Sequence, residues 1–169
     1  MLQKLINLLR QILKINQKSS TSLENMSESA NKVMPISIEA YFQDPKNGDD
    51  RRLKYPNDYT SEILENAKAL LEKVNNLLID LGVVTVVVSS GWRPATVNAA
   101  VGGAKKSLHM LGKAIDLRDS TGELDKLIES KPDLLKKYGL WLEDPSATKG
   151  WCHLDVGNRT DRPSRVFKV

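Results

Sequence analysis

From the amino terminus, apolar residues recur at helical spacing. Leu2, Leu5, Ile6, Leu9, Ile12 and Leu13 share one face, with Gln3, Lys4, Asn7, Arg10, Gln11 and Lys14 mostly opposite. That 3.6-residue period predicts an amphipathic helix, too short and too interrupted by polar residues to span a bilayer. Its apolar face suits packing on its own domain or on a partner, and its basic face also suits a membrane surface. Residues 16–31 are rich in Ser, Asn, Gln and Lys and predict a flexible linker. The chain therefore divides into a helix and linker, 1–33, and a folded domain, 34–169.

Within that domain, residues 36–42 form an opening element and 44–59, with their Pro, Gly, Asn and Asp, predict a loop. Ile63, Ala67, Leu70, Leu71, Val74, Leu77, Leu78 and Leu81 predict a long helix over 61–81. Thr60 suits its N-cap, Glu62 and Glu65 its first turn and Gly82 its stop. The β-branched run 83–90 between Gly82 and Gly91 predicts a buried strand. A short helix follows Pro94 to residue 100, since Pro is favoured in a first turn. Residues 114–117 and 151–156 predict short strands, and 122–138 predict a helix restarted at Pro132. Helices and short strands in irregular order predict an α+β domain, a small antiparallel sheet with flanking helices.

Composition removes some chemistries. One cysteine forbids an internal disulfide framework. With only two histidines beside it, zinc modules built on four cysteines, or on two cysteines and two histidines, are also forbidden. Any metal site must recruit carboxylates. The net charge of +4 resides mostly in residues 1–32, which hold five basic and two acidic groups, whereas the remaining 137 residues hold 20 and 19. No basic stripe with interleaved aromatics marks the domain, so nucleic acid is not an expected partner.

Both histidines keep unusual company: His109 lies in SLHMLGKAID, ending at Asp116, and His153 lies in WCHLD. Two imidazoles and a carboxylate form a normal three-ligand set for catalytic zinc, with the fourth position open to water. Seven residues separate His109 from Asp116, too many for one helical turn. The spacing suits one ligand before a turn at Gly112 and a second on the strand after it. If strands 86–90, 114–117 and 151–156 are neighbours, His109, Asp116 and His153 meet. Cys152 alternates with His153 along a strand and so faces away, which argues against a Cys–His nucleophile pair.

These motifs resemble the zinc peptidases of the D-Ala-D-Ala carboxypeptidase and L,D-endopeptidase type, the M15 peptidase class. The pattern SxHxxGxAxD is followed by a short W-x-H strand. Ser89-Ser90-Gly91-Trp92-Arg93-Pro94 matches the family's SGYR-like strand end, and residues 97–103 match the segment before the first His. The likeness runs from about residue 36 to 169, and GLWLEDP and KGWCH look like phage-encoded members. It implies a hedgehog/D-Ala-D-Ala-peptidase-like zinc fold, with His109, Asp116 and His153 as Zn2+ ligands. It further implies that Arg93 engages a substrate carboxylate or carbonyl oxygen and that Ser107 hydrogen-bonds substrate. A structural ion pair is the plain alternative for Arg93.

The general base is where the chain departs from the family pattern. Several members carry an acidic residue three positions before the last His, and here that position is Gly150. Asp155 and Glu143 both stay open, with Glu143 favoured because Asp155 also suits the support of a ligand. Trp92, Trp141 and Trp151 suit either a cleft or the core. Arg159, Arg162, Arg165 and Lys168 form a solvated basic face that also suits an anionic polymer. The implied activity is metal-assisted hydrolysis of peptidoglycan peptides. The alternatives are a non-catalytic, zinc-containing wall-binding or virion module, which the Gly150 departure motivates, and a peptidase acting on peptides outside the wall. No secretory signal pattern is present. The expected route is synthesis in the cytoplasm and action at the wall or periplasm after phage-type lysis, or carriage in a virion.

Overall fold

The computed structural model describes residues 34–160 and 163–168. The predicted amphipathic helix and linker lie outside the described residues, which all belong to the unit from Met34 to Val169.

The longest element is α3, Ser61–Asp80, preceded by two short helices, α1 (Ile38–Phe42) and α2 (Arg51–Lys54). Thr60 caps α3 as its sequence predicts, its hydroxyl oxygen accepting from the Ile63 N–H at 3.3 Å, which satisfies one of the free first-turn amides. The positions spaced by three and four are the buried ones: Ile63, Ala67, Leu70, Leu71, Val74, Leu77 and Leu78. Asn75 is polar on that buried face. Its side-chain amide both donates to the Ile36 carbonyl (2.9 Å) and accepts from the Ile36 N–H (2.8 Å), pinning the chain ahead of α1 to the long helix. Each fully buried Leu here contributes about 1.5–3 kcal/mol relative to exposure. Three further helices follow: α4 (Ala95–Ala100), α5 (Glu123–Glu129) and α6 (Pro132–Tyr138). A 3-10 turn, Leu108–Leu111, precedes the second strand.

The strands are β1 (Val88–Ser90), β2 (Ala114–Asp119), β3 (Trp141–Glu143), β4 (Gly150–Asp155) and β5 (Val166–Phe167), in spatial order β1-β2-β4-β3-β5. Their inward face carries Ile115, Leu117, Leu142, Cys152 and Leu154, which join the α3 residues in one apolar cluster. The fold is α+β, and three of the expected strands are neighbours as predicted. The sheet is not purely antiparallel, however. The last pair, β3 with β5, runs parallel, with Leu142 opposite Val166, because β5 follows β4 in the chain yet pairs with β3 at the far edge.

The run 83–90 is also not a buried strand. Only Val88–Ser90 pairs, while Val84 is 76 % and Val87 50 % exposed. The β-branched composition favours extended backbone, but the segment leads into the edge strand β1, and among the described residues no further strand pairs beyond it. The stretch 44–59, expected as loop, includes the single turn of α2 with Asp50 as its cap. The strands β3 and β5 were not expected, being only three and two residues long.

Candidate metal centre

Cross-strand register builds the site. Ser90 pairs with Asp116, Asp116 with His153, and Glu143 with Phe167. One step along the β3–β4 ladder from the Leu142–Leu154 pair, Glu143 comes level with His153. A single rung across all five strands thus carries Ser90, Asp116, His153, Glu143 and Phe167 on the face away from the apolar core. Alternation does the sorting, since neighbours along a strand point to opposite faces.

His109 reaches this rung from the 3-10 turn. Gly112 ends that turn in the left-handed region, φ +73°, and a Cβ there would meet the Ile63 carbonyl oxygen at 2.6 Å, so the tight return into β2 requires glycine. His109 is 1 % exposed. Its Nδ1–H donates to the Gly91 carbonyl at 2.8 Å, which leaves Nε2 as a lone-pair donor. A Cβ on Gly91 would overlap the Tyr41 backbone oxygen, so glycine is needed at the residue that orients His109. The Arg93 N–H adds a bond to the His109 carbonyl (3.2 Å).

Three donor atoms converge. His109 Nε2 lies 3.2 Å from Asp116 Oδ1, His153 Nδ1 lies 2.7 Å from the same oxygen, and the two ring nitrogens are 3.3 Å apart. His109, Asp116 and His153 are the one group among the described residues whose donor atoms gather within 4.8 Å in a metal-ligand pattern. A tetrahedral ion with bonds of about 2.0–2.1 Å needs donors about 3.3 Å apart, so the set fits with a slight opening of the shortest contact. Oriented second nitrogens fit as well: His109 gives its other N–H to a carbonyl, and His153 Nε2 lies 3.3 Å from Asp155 Oδ2. Such partners fix the tautomer of ligating imidazoles.

Electrostatics describe a seat for positive charge. Burial opposes charge on His153, yet hydrogen bonds to Asp116 and Asp155 carry it up to about 9. Burial likewise works against the Asp116 carboxylate, but bonds from both imidazoles hold it well below the ordinary range. His109 goes the other way, lowered chiefly by burial. A metal would therefore have to displace the proton that His153 holds beside the Asp116 carboxylate.

The two candidate carboxylates differ in what they touch. Asp155 is 1 % exposed, and both oxygens are engaged. Oδ1 accepts from the Gly157 N–H (2.8 Å) and Arg159 Nη1 (2.5 Å), Oδ2 from Arg159 Nη2 (2.7 Å). Arg159 in turn stacks on Phe167, 3.6 Å from guanidinium to ring centre. Glu143 is half-buried in the cavity wall, its carboxyl raised by burial and by Asp116 and Asp155 against the pull of His153. That cavity, about 400 Å3, also includes Arg93 and Ser107 beside the three donors.

Of the basic face expected near the carboxyl terminus, Arg159 belongs to the site and Arg165 lies over the Trp141 ring at 4.7 Å, so neither is simply solvated. Arg162 lies outside the described residues. Trp92 and Trp141 are core residues, whereas Trp151 is 38 % exposed at the cavity edge. Cys152 is buried on the opposite face, as alternation requires. Sequence reasoning missed the Arg159 clamp because its four-residue spacing from Asp155 signals an ion pair only on a helix, and this segment is not helical.

Comparison with known proteins adds one finding. No curated protein matches the chain. The sequence profile described as Peptidase M15 matches residues 50–140, a stretch that contains Arg93, His109 and Asp116 and stops short of Glu143, His153 and Asp155. With more than half of its length under that profile, and with a second histidine delivered to the first by the β2–β4 register, the chain belongs to the peptidase M15 family.

Proposed function

We propose that the protein is a zinc-dependent peptidase that hydrolyses peptide bonds of bacterial peptidoglycan, as a carboxypeptidase or as a stem or cross-link endopeptidase. The observation that carries this reading is the convergence of His109, Asp116 and His153 at 2.7–3.3 Å with their outer atoms already oriented. The chemistry of this donor set, two neutral imidazole nitrogens and one carboxylate, suits zinc with one position left for solvent or substrate. When bound, zinc supplies Lewis acidity towards the scissile carbonyl and towards a water molecule.

The remaining steps belong to the chain's own groups. Glu143 takes the water's proton and returns it to the leaving amine, because its carboxylate faces the cavity and its raised pKa suits a base. Asp155 is spoken for by Arg159, Gly157 and His153 and acts by holding the His153 ring. Arg93 answers negative charge that develops on the substrate, and Ser107 offers a hydroxyl at the cavity wall. A hedgehog/D-Ala-D-Ala-peptidase-like fold, a phage-type origin and a site of action at the wall all belong to the same proposal.

The test is zinc content and release of peptides from purified sacculi, measured on full-length protein and on His109→Ala. Stoichiometric zinc, wall peptides among the products, and loss of both in the variant support the reading. A protein without zinc, or a variant of undiminished activity, overturns it. Sacculus binding without release of peptides would favour the non-catalytic module that Gly150 suggested. Cleavage of free peptides but not of sacculi would move the substrate outside the wall.

A further inference from the structure

Residues 91–93 lie between the end of β1 and the start of α4, outside any strand ladder or helix. Their polar groups must therefore find partners one by one. All three residues bond to the turn that carries His109. The Gly91 carbonyl accepts from the His109 ring at 2.8 Å. The Trp92 Nε1–H donates to the Met110 carbonyl at 3.1 Å, and the Arg93 N–H donates to the His109 carbonyl at 3.2 Å. His109 is thus held at its ring by the residue before Trp92 and at its carbonyl by the residue after it. Where its Nε2 stands depends on where the Trp92 backbone stands.

Two groups fix that backbone. Its N–H donates to the Tyr41 carbonyl of α1 across a long 3.3 Å. Its carbonyl accepts from Arg51 Nη1 at 2.7 Å, the short distance of a charge-assisted bond, which is roughly twice as strong as a neutral one. Arg51 opens α2 and is 4 % exposed, yet the rest of its guanidinium is poorly answered. Asp44 Oδ2 stands 3.6 Å from Nη2, beyond hydrogen-bond distance, and the Asp44 side chain is itself 20 % exposed to solvent. The Nε–H is buried without a hydrogen-bond partner among the described residues. A charge placed in this way is costly, and for the fold alone an apolar side chain of similar volume would serve as well or better. What the guanidinium does hold is one peptide group, between Trp92 and Arg93. It polarises the oxygen of that group, and the N–H of the same group is the one that grips His109.

We infer that Arg51 is a positioning residue of the metal centre, setting His109 and the Arg93 backbone together through the Trp92–Arg93 peptide. This role rests on the zinc reading above and deepens it, since it assigns the placement of the first histidine to a charge outside the donor set. Loss of Arg51 should therefore harm metal binding more than it harms the fold.

Zinc affinity is measured by competition with a chromophoric chelator on full-length protein and on Arg51→Met. No substrate is present, so a part in holding substrate would not register. The His109 Nδ1–H resonance is followed in parallel by proton NMR of metal-free protein with isotope-labelled histidine. Arg51→Met should bind zinc about tenfold more weakly, the lower end of what the outer partners of a ligand contribute. The resonance should move upfield as the bond to Gly91 lengthens. Arg51→Lys, which keeps the charge but not the planar fork, should fall between the two. The melting temperature of Arg51→Met should stay within about 4 °C of the unsubstituted protein. Arg52→Met is the control, because Arg52 bonds Asp50 at 2.6 Å and its loss should change neither readout. A zinc loss smaller than about threefold, an unmoved resonance, or equal changes in Arg52→Met overturns the inference. An Arg51 that only braces the fold would lower the melting temperature and leave both readouts in place, which also overturns it. Should Arg51→Met not fold, movement of the resonance in Arg51→Lys decides. Protein that holds no zinc while the resonance moves as expected would break the zinc reading alone. Zinc held equally well with and without Arg51 would break this inference alone.

Discussion

Alternate residues along β4 meet two kinds of burial. Leu154 is fully buried and Asp155 is 1 % exposed, so solvent exclusion does not separate the two faces of the strand. Partners do. Leu154 and Cys152 join the apolar cluster shared with α3, where non-directional burial suffices. His153 and Asp155 meet Asp116, Arg159 and the Gly157 amide at hydrogen-bond distance, because a buried polar group must be matched atom by atom. One face therefore answers to apolar volume and packing, and the other to the identity of individual polar atoms.

The largest effect should come from the two carboxylates of the polar face, which ought to fail in different ways. Glu143→Gln should lower kcat by about 10^2–10^4-fold with zinc content unchanged. Asp155→Asn should weaken zinc affinity by about 10–100-fold. Rate assays paired with metal titration would show whether the roles are instead reversed. On the apolar face, Leu154→Ala should cost about 2–5 kcal/mol of stability while leaving the rate unchanged well below the melting transition. A rate loss without a stability loss would mean that the faces are not separable.

Next comes pH. In metal-free protein the folded His153 titrates at about 9, above the unfolded value near 6.5. The stability it contributes is fully present below about pH 6.5 and is lost as pH rises through 9, by up to roughly 3 kcal/mol. His109, lowered by burial, acts oppositely and costs stability as pH falls below its unfolded value. Denaturant midpoints from about pH 6 to 10 should fall on the alkaline side, and the fall attributable to His153 should vanish in His153→Gln. A flat profile in the metal-free protein would remove the picture of a proton held by His153 against Asp116 and Asp155. The smallest effect belongs to the exposed run before β1: Val84→Lys should change stability by less than about 0.5 kcal/mol, and a melting shift larger than that would mean the run is covered.

The helix α3 was legible because its signal is local. A cap, a stop and seven buried apolar positions at three- and four-residue spacing lie within one segment, and each agrees with the others. The His109, Asp116 and His153 cluster was legible for a different reason: with two histidines in the chain, there were few ways to bring such a group together. Val83 to Val87 misled because β-branched composition reports extended backbone and not cover. The strands β3 and β5 were too short for any period to emerge.

The sequence by itself determined the donor types, the long helix, the apolar and polar alternation of β4, and membership of a peptidase family through its motifs. Tertiary structure decided what each candidate carboxylate touches. Two-residue alternation fixes the face a side chain takes, but it does not name the neighbouring strand. Glu143 comes level with His153, and Arg159 closes on Asp155, through pairings between segments distant or irregular in the chain. The same holds for Arg51, drawn from α2 to the Trp92 carbonyl across 41 residues. Such contacts depend on how the strands and loops pack together, and no local spacing encodes that packing.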